Sequence, residues 1–201
     1  MAMQLYLTPK DQGRALTLEE FEHASGLEGY HYELIDGKLE VSPLPNLPHE
    51  ELRDWLRDLL KDYARRHPET INYVKAPARV FVPGRRATTA PEPDVAACHD
   101  FPLHLPRRQR HWRDFRPILV VEIISADTAD KDLVRNLDLY LQVPSIREYW
   151  IVDPQADADQ PTLTVHRRRG QRWQNPIDIA AGDTYTTRLL PGFSLVMDVR
   201  A

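Results

Sequence analysis

Glu122 sits inside the aliphatic run Ile118-Leu-Val-Val-Glu-Ile-Ile124, and no other residue narrows the fold as much. A run that is apolar on both faces predicts a strand covered on both sides. An isolated ionised carboxylate there costs several kcal/mol or more, so Glu122 has to be protonated, paired with a cation or bound to a metal. Each option demands a partner from elsewhere in the chain.

The residues that follow read as a helix and a second strand. Ser125, Asp127 and Thr128 offer helix caps, and Leu133, Val134, Leu137, Tyr140 and Leu141 recur at helical spacing before Pro144. Ile146 to Val152 is β-branched and aromatic and ends at the Asp153-Pro154 turn. Two apolar strands joined by about a dozen helical residues predict a βαβ crossover, with parallel strands and a ligand site at their ends.

The 201 residues suit one domain, spanning 1–201, with a sizeable core. A single cysteine, Cys98, excludes an internal disulfide framework, and no stretch is long and apolar enough to cross a bilayer. The expectation is a cytoplasmic protein with no membrane partner. The net charge of −4 argues against indiscriminate coating of nucleic acid, but the charge is uneven. Arg107, Arg108, Arg110, His111, Trp112, Arg113 and Arg116 form one basic-aromatic cluster; His166, Arg167, Arg168, Arg169, Arg172 and Trp173 form another. They are either a confined polyanion-binding face or two solvated loops. Lysine is scarce: Lys10, Lys38, Lys61, Lys75 and Lys131 complete the set.

In chain order, Thr17-Leu-Glu-Glu20 has capping-box spacing and starts a short helix through about Ala24. Tyr30 to Ile35 and Lys38 to Ser42 flank Asp36-Gly37, a strong hairpin signal. Glu33 on the first arm reads more simply as an exposed partner of a residue such as Lys38 than as an inward acid. Pro48 fits the first turn of a helix over His49 to about Arg66, with Leu52, Trp55, Leu56, Leu59, Leu60 and Tyr63 as its buried stripe. His49 lies off that stripe and reads as a surface residue or cap. Ile71 to Val82 predicts a strand broken by Pro83-Gly84, and Pro91-Glu-Pro-Asp94-Val-Ala-Ala-Cys98 a short strand whose entry holds Asp94 rigidly. Asp100 to Arg116 is too long for a plain connector and reads as a binding loop or a mobile one. Thr162 to Arg167 and Gln171 to Trp173 predict a hairpin turning at Gly170, and Phe193 to Val199 a further strand.

Two acids stand out, Asp94 at a proline-fixed strand entry and Glu122 within a buried strand. Were the two strands adjacent, both carboxylates would meet around a hard divalent cation such as Mg²⁺, which takes oxygen ligands and keeps several waters. Glu122 paired with a buried arginine would satisfy the same pattern.

The ordered set adds to this. Glu33 before Asp36-Gly37, Ser42-Pro43 and His49 before an amphipathic helix, Pro93-Asp94-Val95, Val121-Glu122-Ile-Ile-Ser125, Asp132, Tyr140 and Glu148-Tyr-Trp-Ile-Val-Asp153-Pro154 follow one another as in a known family. The chain resembles the Uma-type family of restriction-endonuclease-like proteins, within the PD-(D/E)XK nuclease superfamily, over roughly Thr17 to Arg172. The resemblance implies an α/β (α+β) fold: a restriction-endonuclease-like core whose central mixed β-sheet is flanked by helices, here with an added N-terminal hairpin and C-terminal strands. It implies Mg²⁺- or Mn²⁺-dependent hydrolysis of phosphodiester bonds in DNA. Asp94 and Glu122 would be the metal ligands, Glu33 an accessory acid, His49 and Asp132 site-adjacent groups, and the assembly a homodimer.

The chain departs from the pattern at the lysine. The superfamily commonly has one two residues after the glutamate, where this chain has Ile124; Uma-type relatives tend to have it four residues before the tyrosine, where this chain has Asn136. Asparagine orients a water or a phosphate oxygen but brings no positive charge. Three explanations stand: Lys131 or Arg135 replaces it, Lys75 reaches in from a neighbouring strand, or cleavage is lost and binding kept. Lys131 also reads as a surface partner of Asp127. Two functions follow. One is an endonuclease with Asp94 and Glu122 on the metal, Asn136 and Lys131 as further catalytic candidates, and Arg107, Arg108, Arg110, Arg113, Arg167, Arg168 and Arg169 on the nucleic-acid backbone. The other is a nucleic-acid- or protein-binding module on the same fold, with Glu122 as an ion-pair partner.

Overall fold

In this computed structural model, which describes residues 5–125 and 134–201, the Glu122 run is an interior strand of a mixed sheet. Before it come β1 (Tyr6–Leu7), α1 (Leu18–His23), β2 (Ser25–Gly26), the hairpin β3 (Tyr30–Ile35) and β4 (Lys38–Pro43), α2 (Leu47–Arg66), β5 (Tyr73–Lys75) and β6 (Val95–Cys98). The run itself is β7 (Pro117–Ile123), followed by α3 (Asn136–Leu141) and β8 (Glu148–Asp153). The chain ends with β9 (Thr162–Arg169), β10 (Arg172–Trp173), β11 (Ile177–Ile179), β12 (Thr184–Thr186) and β13 (Ser194–Val196). The main sheet runs β10-β9-β8-β7-β6-β5, with β11 also paired to β9.

As the strand-helix-strand pattern predicts, β7 and β8 are parallel, Leu119 opposite Glu148 and Ile123 opposite Val152; their neighbours in the sheet are antiparallel. Both faces of the sheet are covered. On one, Leu52, Leu56, Leu60 and Tyr63 of α2 pack with Leu119, Val121 and Ile123, and the β12–β13 hairpin adds Tyr185, Leu195 and Met197. On the other, Leu139 and Tyr140 of α3 meet Val120, Tyr149 and Ile151, together with Ala78, Val80, Val82, Phe101 and Phe115. The N-terminal hairpin closes its own small core of Leu7, Leu16, Phe21, Leu34 and Leu39.

Local signals account for most boundaries. Thr17 and Glu20 form the capping box, with Glu20 N donating to Thr17 Oγ1 at 3.2 Å and Thr17 N to Glu20 Oε2 at 2.8 Å. Asp36 and Gly37 both have positive φ, 49° and 72°, as a two-residue turn of this kind needs. Asn46 caps α2 and Pro48 sits in its first turn.

Three elements differ from expectation. The strand read over Ile71 to Val82 is only three residues long, since Pro77 has no N–H for the ladder. Residues 78–82 turn away and hydrogen-bond to 89–93, Ala78 N to Pro93 O and Val80 N to Pro91 O. The 100–116 segment is neither extended nor loose: two 3-10 turns, Arg107–Gln109 and Trp112–Asp114, fold it onto the stacked rings of Tyr73 and Phe101, 4.3 Å apart, with Phe115 edge-on. At α3 and the turn before it the apolar stripe is rotated, so that Val134 is 71% exposed while polar Asn136, the first residue of the helix, is fully buried.

Candidate active site

The β6–β7 ladder ends at Val95 opposite Val121, and the same register carried one residue further sets Asp94 opposite Glu122. There the two strands part, and side chains take over from backbone. Ile123 N donates to Asp94 Oδ2 at 2.8 Å, and Asp94 N donates to Glu122 Oε2 at 3.3 Å. Each acid thus accepts from the main chain beside the other. Two carboxylates that the sequence separates are held together at a sheet end by two N–H groups.

Glu122 is buried, and its other oxygen, Oε1, accepts from Asn136 Nδ2 at 2.9 Å and from the Tyr140 hydroxyl at 2.6 Å. Residues 136 and 140 share a face of α3, one turn apart, so one short helix supplies both donors. Burial and the Glu122 charge hold the Tyr140 phenol well above its ordinary value, keeping its proton available to the carboxylate.

His49 is buried, not exposed as its position off the apolar stripe suggested. The first turn of α2 lies over the end of β7, and His49 Nε2 is 3.0 Å from Ile123 O and 3.3 Å from Asp94 Oδ2. A carbonyl oxygen only accepts, so Nε2 carries the proton. Burial pushes the imidazole down, but Asp94 and the Ile123 carbonyl outweigh it and hold the group above its ordinary value. Nδ1 has no partner among the described residues.

Glu33 is buried too, which corrects its reading as an exposed partner of Lys38; the hairpin register sets Ile35 opposite Lys38, and Glu33 opposite Glu40. Its Oε1 accepts from Glu92 N at 2.8 Å and its Oε2 from Arg135 Nη2 at 3.2 Å. Arg135 also donates to Asn136 Oδ1 from Nε at 3.0 Å and from Nη2 at 2.9 Å. Glu33, Arg135, Asn136 and Glu122 therefore form one chain of contacts. Lys131 and Asp132 lie outside the described residues.

The arginine clusters are not gathered here. Arg116 immediately precedes β7, so the 107–116 loop enters at the opposite end of that strand from Glu122. Arg107 and Arg108 are exposed, Arg110 is bound to Leu103 O and Leu105 O, and Arg113 lies 4.5 Å over the Phe81 ring. Arg167 pairs with Leu119-level Glu148, three residues along β8 from the partner of Glu122. Arg168 gives its guanidinium to the carbonyls of Tyr140, Leu141, Val143 and Ile146, and Arg169 is exposed. Lys75 faces Ala96 and lines a cavity of about 390 Å³ with Tyr73, Phe101, Arg107, Arg110 and Trp112. Arg168 looks like one basic residue among several in the linear chain; its use as a helix brace has no local signal. Tyr140 was read as part of an apolar stripe and as one of the residues that carry the resemblance, with no role for its hydroxyl, although its spacing from Asn136 would have put that hydroxyl beside the same group.

Residues 18–199 match the Uma2 family, described as "Putative restriction endonuclease". The chain belongs to that family. A solved structure described as a putative nuclease, from Anabaena variabilis, superimposes with a TM-score of 0.67 at 18% identity, covering 90% of this chain and 95% of that one. The likeness shows the fold, a restriction-endonuclease-like mixed sheet with few helices. No curated protein matches the chain. Among the described residues no helix is long and apolar enough to cross a membrane, and no three His, Cys, Asp or Glu side chains are grouped to hold a metal. Two carboxylates suffice for a hard ion that keeps its waters. Asp94 Oδ1 accepts no hydrogen bond among the described residues, and the Asp94 side chain is 17% exposed, so an oxygen ligand is open to solvent at the pair.

Proposed function

We propose that the chain, a single-domain cytoplasmic protein acting as a homodimer, is a divalent-metal-dependent endonuclease that hydrolyses phosphodiester bonds in DNA. The observation that carries this reading is the reciprocal seating of Asp94 and Glu122 at the parted ends of β6 and β7. Asp94 and Glu122 hold Mg²⁺ or Mn²⁺ in this reading. The ion, when bound, polarises a phosphoryl oxygen and lowers the pKa of a water.

The chain's own residues prepare the site. Asn136 and Tyr140 fix the Glu122 carboxylate in one orientation, and His49 and Ile123 N do the same for Asp94. Glu33, held by Glu92 N and Arg135, is the accessory acid beside them. Hydrolysis adds a water oxygen to phosphorus and breaks one P–O ester bond; one proton of that water ends on the leaving hydroxyl. Exposed Arg107 and Arg108 belong to the segment that enters β7 at Pro117, about 16 Å on strand rise from Glu122, which suits the flanking backbone rather than the scissile phosphate.

The absence of lysine at Asn136 supports the second reading, a binding module without cleavage. Supercoiled plasmid with Mg²⁺ or Mn²⁺ separates the two. Nicking by the wild type and its loss in Asp94→Asn, which keeps an acceptor for Ile123 N, fit the nuclease; equal nicking by both, or none by either, rejects it. Calorimetric titration of Mn²⁺ against wild type and Glu122→Gln reads the metal site directly, and sedimentation reads the dimer.

A further inference from the structure

We infer that the Arg135 guanidinium, held between Asn136 and Glu33 at the mouth of the acid pair, is the cation that contacts the scissile phosphate. The inference rests on the endonuclease reading above and names the group that supplies positive charge in it. Asp94 and Glu122 set two carboxylates side by side, Glu33 is linked to them through Arg135 and Asn136, and a phosphodiester adds another negative charge as it approaches. Some fixed cation has to meet that charge as it develops on the phosphoryl oxygens.

The described cations sort themselves by what they touch. Arg79 is paired with Glu92 at 2.7 Å, and Arg85 is paired with Asp36 at the hairpin turn. His49 is buried with Nε2 directed at Ile123 O and Asp94. Lys75 opens into the cavity beneath Arg107 and Trp112. Arg135 alone among them is hydrogen-bonded to a side chain that itself donates to Glu122: Asn136 Oδ1 accepts from Arg135 while Asn136 Nδ2 donates to Glu122 Oε1. The amide orientation follows from its partners, since a guanidinium only donates and a carboxylate accepts.

Two further features fit contact with substrate. Arg135 Nη1 makes no hydrogen bond among the described residues, so one arm of the planar fork is open. The side chain is 27% exposed, against 5% for Glu33. Arg135 and Asp94 thus keep access to solvent, while Glu33, Glu122 and Asn136 are buried beside them. A guanidinium offers paired donors to phosphate oxygens, which suits a planar contact from the solvent side. Asn136 then acts as a positioning residue, tying that cation to the ligand carboxylate.

The test uses the full chain, supercoiled plasmid and Mn²⁺, with kcat and KM for nicking, Mn²⁺ affinity by calorimetry, and anisotropy of a fluorescein-labelled duplex in Ca²⁺. Arg135→Ala is expected to lower kcat roughly 10²-fold or more, with a smaller change in KM and unchanged Mn²⁺ affinity. It should weaken duplex binding in Ca²⁺. Arg135→Ala with Asn136→Lys, which returns one positive charge beside Glu122, should regain activity and binding; Arg135→Ala with Asn136→Gln should regain neither. Nicking by Arg135→Ala at the wild-type rate overturns the assignment. So does a loss that tracks Mn²⁺ affinity, or one that Asn136→Lys leaves unrepaired, or loss on Lys131→Ala with none on Arg135→Ala. Wild-type nicking that Asp94→Asn does not abolish rejects the endonuclease reading itself, and the Arg135 assignment with it.

Discussion

The Tyr140 hydroxyl donates to Glu122 Oε1 at 2.6 Å from within the sheet's buried face, so a phenol and a carboxylate meet with both residues buried. Tyr140→Phe removes that donor without changing the ring. It should cost about 1–3 kcal/mol, the penalty of leaving a buried acceptor short of a bond. Urea denaturation at neutral pH measures it, and a midpoint equal to wild type would contradict the account.

His49 steadies Asp94 from the first turn of α2. His49→Leu keeps an apolar group in the buried position but frees the carboxylate to rotate. If Asp94 holds the ion as proposed, losing a group that steadies such an acid typically costs 10- to 100-fold in affinity, so Mn²⁺ binding should weaken by about that factor. Unchanged calorimetric affinity would remove His49 from the site.

Glu148 anchors the C-terminal hairpin from the opposite end of the sheet. It accepts from Trp150 Nε1 at 2.9 Å, the Tyr185 hydroxyl at 3.1 Å and Thr187 Oγ1 at 2.5 Å, with Arg167 Nε 3.3 Å away. Glu148→Ala strands three donors and leaves Arg167 without its counter-ion, and about 3 kcal/mol should be lost, the lower end of the range because Arg167 keeps partial access to water. Limited proteolysis should then cut first within residues 180–199; cleavage elsewhere would count against the anchor.

Cys98 is buried among Ala78, Phe101 and Val120, and burial raises its thiol far above the ordinary range. A thiol that does not ionise does not alkylate. Iodoacetamide should leave the folded protein unlabelled and react once denaturant is added. Rapid labelling under native conditions would place the residue elsewhere.

Burial lowers the His166 imidazole, with Asp178 opposing, and its ring stacks 6.0 Å from Tyr149. The folded state therefore binds this proton less readily than the unfolded chain. As pH falls below the unfolded value of roughly 6.5, protons go first to the unfolded state and stability drops. His166→Gln should reduce the difference between the urea midpoints at pH 7.5 and 5.5. An unaltered difference would assign the acid sensitivity to other groups.

Much of this architecture is legible in the chain because local rules decide it. The Asp36-Gly37 hairpin, the α2 stripe and the parallel β7–β8 pair each follow from turn chemistry or periodicity acting over a few residues. The acid pair was legible for a different reason, since a buried charge demands a partner wherever it comes from. What stayed hidden depends on how elements lie across one another. His49 and Glu33 read as surface groups because nothing within α2 or β3 shows that a helix start and a hairpin arm cover the end of β7. Val134 and Asn136 exchange the burial that hydropathy assigns them, because a hydrogen bond to Glu122 outweighs the transfer of one amide. Likewise, net charge along the chain groups Arg167, Arg168 and Arg169, whereas in space each does something different.

Arg168 crosses from β9 to hold four carbonyls at the end of α3, the helix whose other residues grip Glu122. The geometry of the acids is thereby tied to a strand two places from β7 in the sheet: loosening that strand would let Tyr140 drift without touching Asp94 or Glu122. Lysine, with a single point of charge in place of a fork, cannot span the same four oxygens. A search for variants that tune the setting of Glu122 should begin at this remote brace, where a conservative exchange would act as a dial and not as an on-off switch.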